Sequence, residues 1–191
     1  MRIPALLLAL LLAGMQNSFA EPSEQQRFEK EAQIAIQALA ADLKKALIAA
    51  MRAGGPVEAV TVCQSIAPSL AAQTSKKYAM EIGRTSLRVR NSDNQADSWE
   101  SNVLQRFQTR MASGEAIQKL TFSEKVTVAG GQQWRMMKAI PTDKICLSCH
   151  GSKIAAPVQA VLDQHYPNDM ATGYKLGDIR GAFTVKKDIS P

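Results

Sequence analysis

The amino-acid sequence predicts an α+β domain in which helices come first and antiparallel strands with intervening helices follow. Two observations predict this class. Between residues 23 and 67, apolar residues recur three or four positions apart, which is the spacing of amphipathic helices. Near residue 130, two runs of alternating apolar residues flank a Gly-Gly pair, which is typical of a β-hairpin. At 191 residues, the chain has the length of one such domain.

The first 20 residues have the pattern of a secretory signal peptide. Arg2 provides a positive start, residues 5–15 are apolar, and Ser18-Phe19-Ala20 forms a small-x-small cleavage site. The apolar run is too short to span a bilayer comfortably, so we expect cleavage before Glu21 and no stable membrane insertion. Residues 21–191 then form a single exported domain, with the periplasm as its expected location.

Charge and cysteine content narrow the classes of function. The formal net charge of +6 is modest, and the lysines and arginines are scattered rather than grouped. This distribution is that of an ordinary soluble protein, and nothing in it indicates nucleic-acid binding. The cysteines are Cys63, Cys146 and Cys149, so any disulfide among them would leave one thiol over.

A long amphipathic helix is predicted from about residue 23 to residue 52. Gly54-Gly55-Pro56 ends it, and Pro56 can open a second helix because a first-turn position needs no N–H group. The second helix places Cys63 on the same side as its apolar residues, so we expect Cys63 to face the interior. Pro68 is expected to kink or restart this helix, because proline removes a donor and crowds the preceding turn.

A strand with a basic face is predicted next. Its two faces alternate between Thr85, Leu87 and Val89 on one side and Arg84, Ser86, Arg88 and Arg90 on the other. Arginine pairs bidentately with carboxylates, so this face is a candidate for binding an anionic group, with a solvated strand face as the alternative.

The remaining elements follow in order along the chain. Asp97 and Glu100 have the spacing of a capping box, which predicts a helix from there to about Gly114. The hairpin around Gly130-Gly131 ends near Pro141. A short helix over residues 157–165 and a last strand over residues 179–185 complete the α+β pattern.

The segment KICLSCHGSK carries Cys146, Cys149 and His150 in the spacing C-x-x-C-H. A zinc site needs about four ligands, so Cys63 or His165 would have to complete it, and a second cysteine pair is absent. A thioredoxin-like dithiol would require a βαβ unit, which the surrounding pattern lacks. Covalent haem c fits best, because the cysteines can form thioethers, His150 can bind iron, and export is where haem c is assembled. One motif predicts one haem.

The residues alone leave the second iron ligand open. His165 lies beside Pro167 at the end of a predicted helix, where a surface or capping role is the alternative. The methionines are equally consistent with filling the core. Cys63 can be a small buried hydrophobe, although iron would protect an otherwise free thiol in an oxidising compartment.

Several segments resemble a known family. They are GGPVEAVTVCQSIAP, GRTSLRVRNSDNQADSWE, CLSCHG and YPNDMATGYKLGDIRGAFTV. Together they are similar to c-type haem domains with a PAS-like fold, long catalogued as a domain of unknown function, which include exported cytochromes and sensor regions of bacterial signalling proteins. Asn91-Ser92 departs from the family pattern, where proline often follows the asparagine.

The resemblance implies a fold and a set of ligands. It implies a central antiparallel sheet flanked by helices, with haem c attached at Cys146 and Cys149. His150 matches the proximal iron ligand of the family, and Cys63 matches its distal ligand. Among the basic residues, Arg84 and Arg88 are candidates for binding the haem propionates. Whether Tyr174 and Arg180 serve packing or contact the haem edge stays open.

Two functions from different classes follow. The first is a low-potential cytochrome that exchanges single electrons with a redox partner protein, because a thiolate favours ferric iron more than methionine does. The second is a sensor that responds to redox change or to a small gas such as NO or CO and acts through a separate partner. An enzyme is the least favoured class, because iron with six ligands has no open position for a substrate.

Overall fold

The structure is a computed structural model that describes residues 21–189, apart from the side chain of Val62. The predicted signal peptide and residues 190–191 lie outside the described residues. The helices are α1 (Glu24–Tyr78), α2 (Ser98–Ala112), α3 (Leu147–His150) and α4 (Ala156–His165). The strands are β1 (Glu81–Thr85), β2 (Thr121–Val128), β3 (Gly131–Pro141) and β4 (Ile179–Ile189). Short 3-10 helices occupy Ser92–Asn94, Ile117–Lys119 and Lys144–Cys146.

Within the described residues, the strands form one four-stranded antiparallel sheet in the order β1-β4-β3-β2. The predicted hairpin is confirmed as β2 and β3, with Val128 paired to Gly131. Gly130 in its turn has a φ of 99°, a conformation that glycine adopts without steric cost. Helices flank this sheet, so the α+β class is confirmed, and the architecture is consistent with a PAS-like fold.

Helix α1 is confirmed as a long N-terminal helix with a break at its glycine pair. Ser23 caps it through a capping box with Gln26. Gly54 and Gly55 leave the helical conformation, and Gly55 has a φ of 71°. We call residues 24–53 the sheet-packing segment of α1, because its apolar stripe packs on the sheet. That stripe comprises Phe28, Ala32, Ala35, Ile36 and Leu39, which cluster with Ile82, Trp134, Met136 and Val185.

The expected interruption at Pro68 was wrong. Helix α1 continues through Pro68 to Tyr78, and its only non-helical residues within the described chain are the two glycines. Pro68 and Gln64, whose carbonyl the proline leaves without a donor, are both exposed. Water can therefore satisfy that carbonyl, and the helix tolerates the proline.

Strand β1 is shorter than its alternating pattern suggested. It pairs with β4 only up to Thr85, opposite Ala182. The next residue, Ser86, turns away: its N–H donates to the carbonyl of Asn94, and its hydroxyl donates to the carbonyl of Arg180 at 3.0 Å. Arg88 and Arg90 therefore lie in a loop and not on the same strand face as Arg84.

A second core lies around α2, whose capping box is confirmed. The carboxylate of Asp97 accepts from the N–H of Glu100, and the carboxylate of Glu100 accepts from the N–H of Asp97. Buried apolar residues of α2 cluster with residues of β3, β4 and the segment before β2; they are Val103, Leu104, Phe107, Leu120, Met137, Ala139 and Ala182. Buried Arg135 of β3 pairs with Asp97 at 2.7 Å and with Glu100 at 3.2 Å, which ties α2 to the sheet.

The predicted helix near residues 157–165 is confirmed as α4. It packs against the second part of α1, residues 56–78, which we call the Cys63 segment. Val60 of that segment clusters with buried Val158 and Leu162 of α4, and Cys149 and Tyr166 pack against this cluster. This contact brings Cys63 of α1 towards α3. Among the residues that the structure describes, no helix is long and apolar enough to cross a membrane.

Candidate functional site

The C-x-x-C-H segment folds as two short helical turns. Cys146 ends the 3-10 helix, and Cys149 and His150 end α3. Residues three apart on a helix lie on the same face, so the two free cysteines are neighbours. A Cβ atom at residue 151 would lie 2.6 Å from the carbonyl oxygen of Leu147, closer than real side chains come. Gly151 is therefore required by the tight end of α3, a role that its position in the sequence left open.

His150 is held in one orientation with one ring nitrogen left free. Its Nδ1 donates to the carbonyl oxygen of Ala171 at 2.6 Å, because a carbonyl can only accept. The ring of Tyr174 meets the imidazole edge-on, with centroids 6.3 Å apart. Nδ1 carries the proton in this tautomer, so Nε2 keeps its lone pair and can bind a metal ion.

The surroundings of His150 keep it neutral. Burial has the largest effect, and the charges of Arg180, Arg90 and Arg84 add to it, while the bond to the Ala171 carbonyl opposes them. Together they lower the pKa of His150 to about 2. A neutral imidazole is the form that binds metals, so the local electrostatics favour a ligand role.

The loop that accepts this hydrogen bond is anchored by a buried ion pair. Arg90 and Asp169 lie 2.7 Å apart, with side chains 10% and 9% exposed. Asp169 also accepts from the N–H of Ala171 at 2.7 Å, and Arg90 donates to the carbonyl of Cys149 at 2.5 Å. Arg90 therefore links the C-x-x-C-H segment to the loop that orients His150.

Two backbone hydrogen bonds reinforce this link. The N–H of Gly173 donates to the carbonyl of Gly151, and the N–H of Tyr174 donates to the carbonyl of His150, each at 2.9 Å. We call residues 169–174 the His150 loop.

Cys63 lies near the same group of side chains, but not in the apolar interior as expected. Its side chain is exposed, on the face of α1 beside Val60 and not among the buried residues. Partial burial among protein atoms still raises the pKa of the Cys63 thiol, and the charges of Arg84 and Arg90 partly offset this. Cys63 and Cys149 are close enough for the charge of Cys63 to raise the pKa of Cys149, after the larger effect of burial. The structure thus brings Cys63, Cys149 and His150 into one region.

The basic residues divide into two kinds. Arg88 and Arg90 support the His150 loop: Arg88 donates from Nε to the carbonyl of Met170 at 3.1 Å and from Nη2 to the carbonyl of Thr172. The guanidinium of Arg84 makes no hydrogen bond or ion pair within the described residues, and burial lowers its pKa while the charge of Cys63 opposes that shift. Of the arginines predicted to bind an anion, only Arg84 has a guanidinium without a polar partner there.

Arg180 is a second buried cation, with its donors only partly satisfied in the described part of the chain, and the sequence pattern left its role open. Its Nη1 donates to the hydroxyl of Ser86 at 3.1 Å, but its buried Nε has no partner in the described part of the chain. Its guanidinium lies 5.3 Å from the ring centroid of Tyr174. Burial lowers the pKa of Arg180, which is the effect expected of a cation that lacks a neutralising anion.

Of the methionine candidates, three lie in the apolar cores, whereas Met170 is exposed on the His150 loop. Met80 and Met136 are buried in the cluster between α1 and the sheet, and Met137 is buried in the cluster around α2. His165 is the last residue of α4. Within residues 21–189, no group of three or more His, Cys, Asp or Glu side chains is arranged to hold a metal ion, so the zinc alternative has no ligand cluster there.

Comparison with known proteins identifies the class of protein. Residues 15–187 match the Tll0287-like family, described as Tll0287, and the chain therefore belongs to that family. Among solved structures, the chain is similar to the crystal structure of the cyanobacterial haem-protein Tll0287, with a TM-score of 0.58 and 19% sequence identity. The similarity covers 87% of this chain and 95% of that protein, and it shows a shared fold. No curated protein matches the sequence.

Proposed function

We propose that the chain is an exported mono-haem c-type cytochrome that transfers electrons at low potential. Cys146 and Cys149 would hold the haem covalently, and His150 and Cys63 would bind its iron. The observation that carries the proposal is the hydrogen bond from Nδ1 of His150 to Ala171, because it leaves Nε2 free within a C-x-x-C-H segment. Membership in a family whose structurally similar protein is a haem-protein supports it.

The charges around His150 fit a haem. The positive charges of Arg84 and Arg180 both act on His150, and neither arginine forms an ion pair in the described part of the chain. Asp169, the carboxylate in the same region, is already paired with Arg90. A haem brings two propionate carboxylates, and arginine binds carboxylates through paired N–H donors. Arg84 and Arg180 are therefore the proposed propionate partners, and Arg88 keeps its bonds to the His150 loop.

Each protein group has a defined part in this function. The haem supplies one-electron chemistry. The two thioethers would hold it on a short loop, so that a large enclosing pocket is not needed. His150 is oriented before it binds, and Cys63 would donate negative charge as a thiolate, which favours the ferric state and lowers the potential relative to His/Met ligation. An unidentified redox partner protein in the periplasm would exchange electrons with this site.

A second function, a haem-based redox or gas sensor, is favoured by the position of Cys63. Cys63 is exposed, and it lies on the part of α1 that follows the Gly54-Gly55 break. As an exposed side chain, Cys63 would be replaceable as a ligand by a small molecule such as NO or CO. In this function the proposed iron ligands are the same, and a separate partner protein would respond to the change in ligation.

The covalent attachment is tested by replacing its cysteines. In wild-type protein and in Cys63→Ser, haem is expected to stay with the chain after denaturation and to give a c-type band in alkaline pyridine. In the double variant Cys146→Ser and Cys149→Ser, haem is expected to be extractable by acid and organic solvent. Haem that stays bound in the double variant, or leaves the wild type, would refute the assignment.

The thiolate ligand is tested separately. Cys63→Ala is expected to lose the low-spin His/thiolate EPR signal and to raise the midpoint potential, because the anionic donor is removed. Unchanged spectra would remove Cys63 as a ligand while leaving the covalent haem intact. Binding of CO or NO to the reduced wild-type protein then separates the functions: an electron carrier exchanges electrons quickly without binding gas, and a sensor binds gas with loss of Cys63.

A further inference from the structure

A partly enclosed cavity lies between α2, the loop after β1 and the start of β4. Its volume is about 200 Å³. Its apolar wall is formed by Leu87, Leu104, Met111, Ile179 and the ring of Tyr174. Neither the cysteines nor His150, Arg84 or Arg180 line it. It adjoins the proposed haem site, because Tyr174 also contacts His150 and Arg88 also bonds the His150 loop.

The polar lining of this cavity contains one positive and one negative side chain. Arg88 bonds the His150 loop through Nε and Nη2, and its Nη1 makes no hydrogen bond in the described part of the chain. Asp178 accepts from the N–H of Lys175 through Oδ2 at 2.8 Å, which leaves Oδ1 free among the described residues. Neither side chain has an ion-pair partner within residues 21–189, and they do not pair with each other.

Arg88 is fixed in place before any ligand arrives. Its guanidinium lies 4.5 Å from the ring centroid of Tyr174, in addition to its two bonds to the His150 loop. A side chain with its conformation already restricted loses little entropy when it binds a carboxylate. The residue is exposed, so its remaining N–H groups are accessible.

We propose that this cavity binds a small zwitterion with an apolar body, namely an apolar α-amino acid. Its carboxylate pairs with Arg88, its ammonium group pairs with Asp178, and its side chain lies against Leu87, Leu104 and Met111. A dry cavity of roughly 150 Å³ accommodates a benzene molecule, so a volume of about 200 Å³ suits a side chain of leucine size. The proposal does not require a bound haem, although Tyr174 and Arg88 join the cavity to His150 and its loop.

The proposal is tested by calorimetry on the purified protein, as it is isolated, with L-leucine as the probe. We expect saturable binding with one site per chain. Two analogues each lack one charge: 4-methylpentanoate has no ammonium group, and 3-methylbutylamine has no carboxylate. Each is expected to bind at least about tenfold more weakly, because one charged side chain loses its partner. No saturable binding up to about 10 mM leucine, or equal binding of either analogue, would overturn the proposal.

Variants place the binding in this cavity. Met111→Trp fills the apolar wall and is expected to abolish leucine binding. Thr109→Trp puts the same bulk on an exposed position of α2 and is expected to leave binding unchanged. Asp178→Asn keeps an acceptor for Lys175 but removes the negative charge, so it is expected to weaken leucine at least about tenfold and to leave 4-methylpentanoate unaffected. Leucine affinity equal to wild type in both Met111→Trp and Asp178→Asn would place the binding elsewhere and refute the assignment.

Discussion

Nδ1 of His150 lies 2.6 Å from the carbonyl oxygen of Ala171, and that carbonyl belongs to a loop held by the ion pair of Arg90 and Asp169. Because Asp169 also accepts from the N–H of Ala171, the loop cannot shift without disturbing the carbonyl that orients the imidazole. Arg90 and Asp169 are therefore positioning residues for His150.

Asp169→Asn is expected to destabilise the protein and to loosen His150. The pair is buried, and removal of one partner leaves an uncompensated charge, so the free energy of unfolding should fall by about 3 kcal/mol. Denaturant unfolding followed by circular dichroism measures this loss. The low-spin EPR signal of the proposed haem should broaden, because the imidazole is held less firmly.

The matched control is the exposed ion pair between Lys186 and Glu81, whose side chains are 25% and 69% exposed. Glu81→Gln removes one partner there and should change the free energy of unfolding by less than about 1 kcal/mol, without altering the EPR signal. Equal losses in the two variants, or an unchanged EPR signal in Asp169→Asn, would contradict the positioning role.

Arg84→Gln is expected to lower the midpoint potential of the proposed haem. A positive charge near the iron disfavours the ferric state, so its removal stabilises that state, by a shift on the order of 50 mV. Arg180→Gln should shift the potential in the same direction. Potentiometric titration measures both, and Arg106→Gln on the exposed surface of α2 is the control that should leave the potential unchanged. A potential that is unchanged or raised in Arg84→Gln would refute its assignment to the propionates.

Gly181→Ala is expected to disrupt the junction of β1 and β4. A Cβ atom there would lie 2.4 Å from the carbonyl oxygen of Thr85, a rigid backbone atom, so unfolding should become easier by about 2 kcal/mol or more. A Cβ atom on Gly83 of β1 would meet nothing within 4 Å, so Gly83→Ala serves as the control and should be tolerated. Thermal unfolding of the two variants measures the difference. Equal unfolding midpoints would contradict the expected steric clash at residue 181.

Low pH is expected to weaken the attachment of α2 to the sheet, because Asp97 becomes protonated and loses its ion pair with Arg135. Burial alone would raise the pKa of Asp97, but the N–H of Glu100 and the guanidinium of Arg135 outweigh it and hold the pKa below its usual value. A lowered pKa in the folded state means that the stabilisation is present above the pKa of the unfolded chain and is lost as the pH falls through the folded pKa. Asp97→Asn should therefore reduce stability at neutral pH and flatten its decline on acidification. The free energy of unfolding of wild type and of Asp97→Asn is measured between about pH 7 and pH 2. Parallel declines in the two proteins would contradict this prediction.

The features that sequence reasoning predicted well depend on local chemistry. Gly54 and Gly55 break α1 because glycine favours non-helical backbone, and Asp97 caps α2 through bonds within one turn. The hairpin around Gly130 follows from the alternation of neighbouring residues in the same way. Each of these signals needs only residues that are close in the chain.

The features that were missed depend on partners far along the chain. Strand β1 ends at Thr85 because Ser86 bonds to Arg180, which lies 94 residues later. The role of Arg90 is set by Asp169, 79 residues away, so periodicity alone placed Arg90 on a strand face. Asp169 belongs to no local sequence pattern. Its role in positioning His150 can be predicted only when its loop is known to contact α3.

Because of the Gly54-Gly55 break, the direction in which Cys63 points around the axis of α1 does not depend on the residues before the break. A continuous helix turns about 100° per residue, so an inserted residue anywhere in residues 24–53 would swing Cys63 to a different side of the helix. Because Gly55 has a φ of 71°, the two parts of α1 do not form one continuous helix. The direction of Cys63 is instead fixed by the packing of Val60 against Val158 and Leu162. The length of the sheet-packing segment can therefore change over evolution without moving the thiol away from Cys149 and His150.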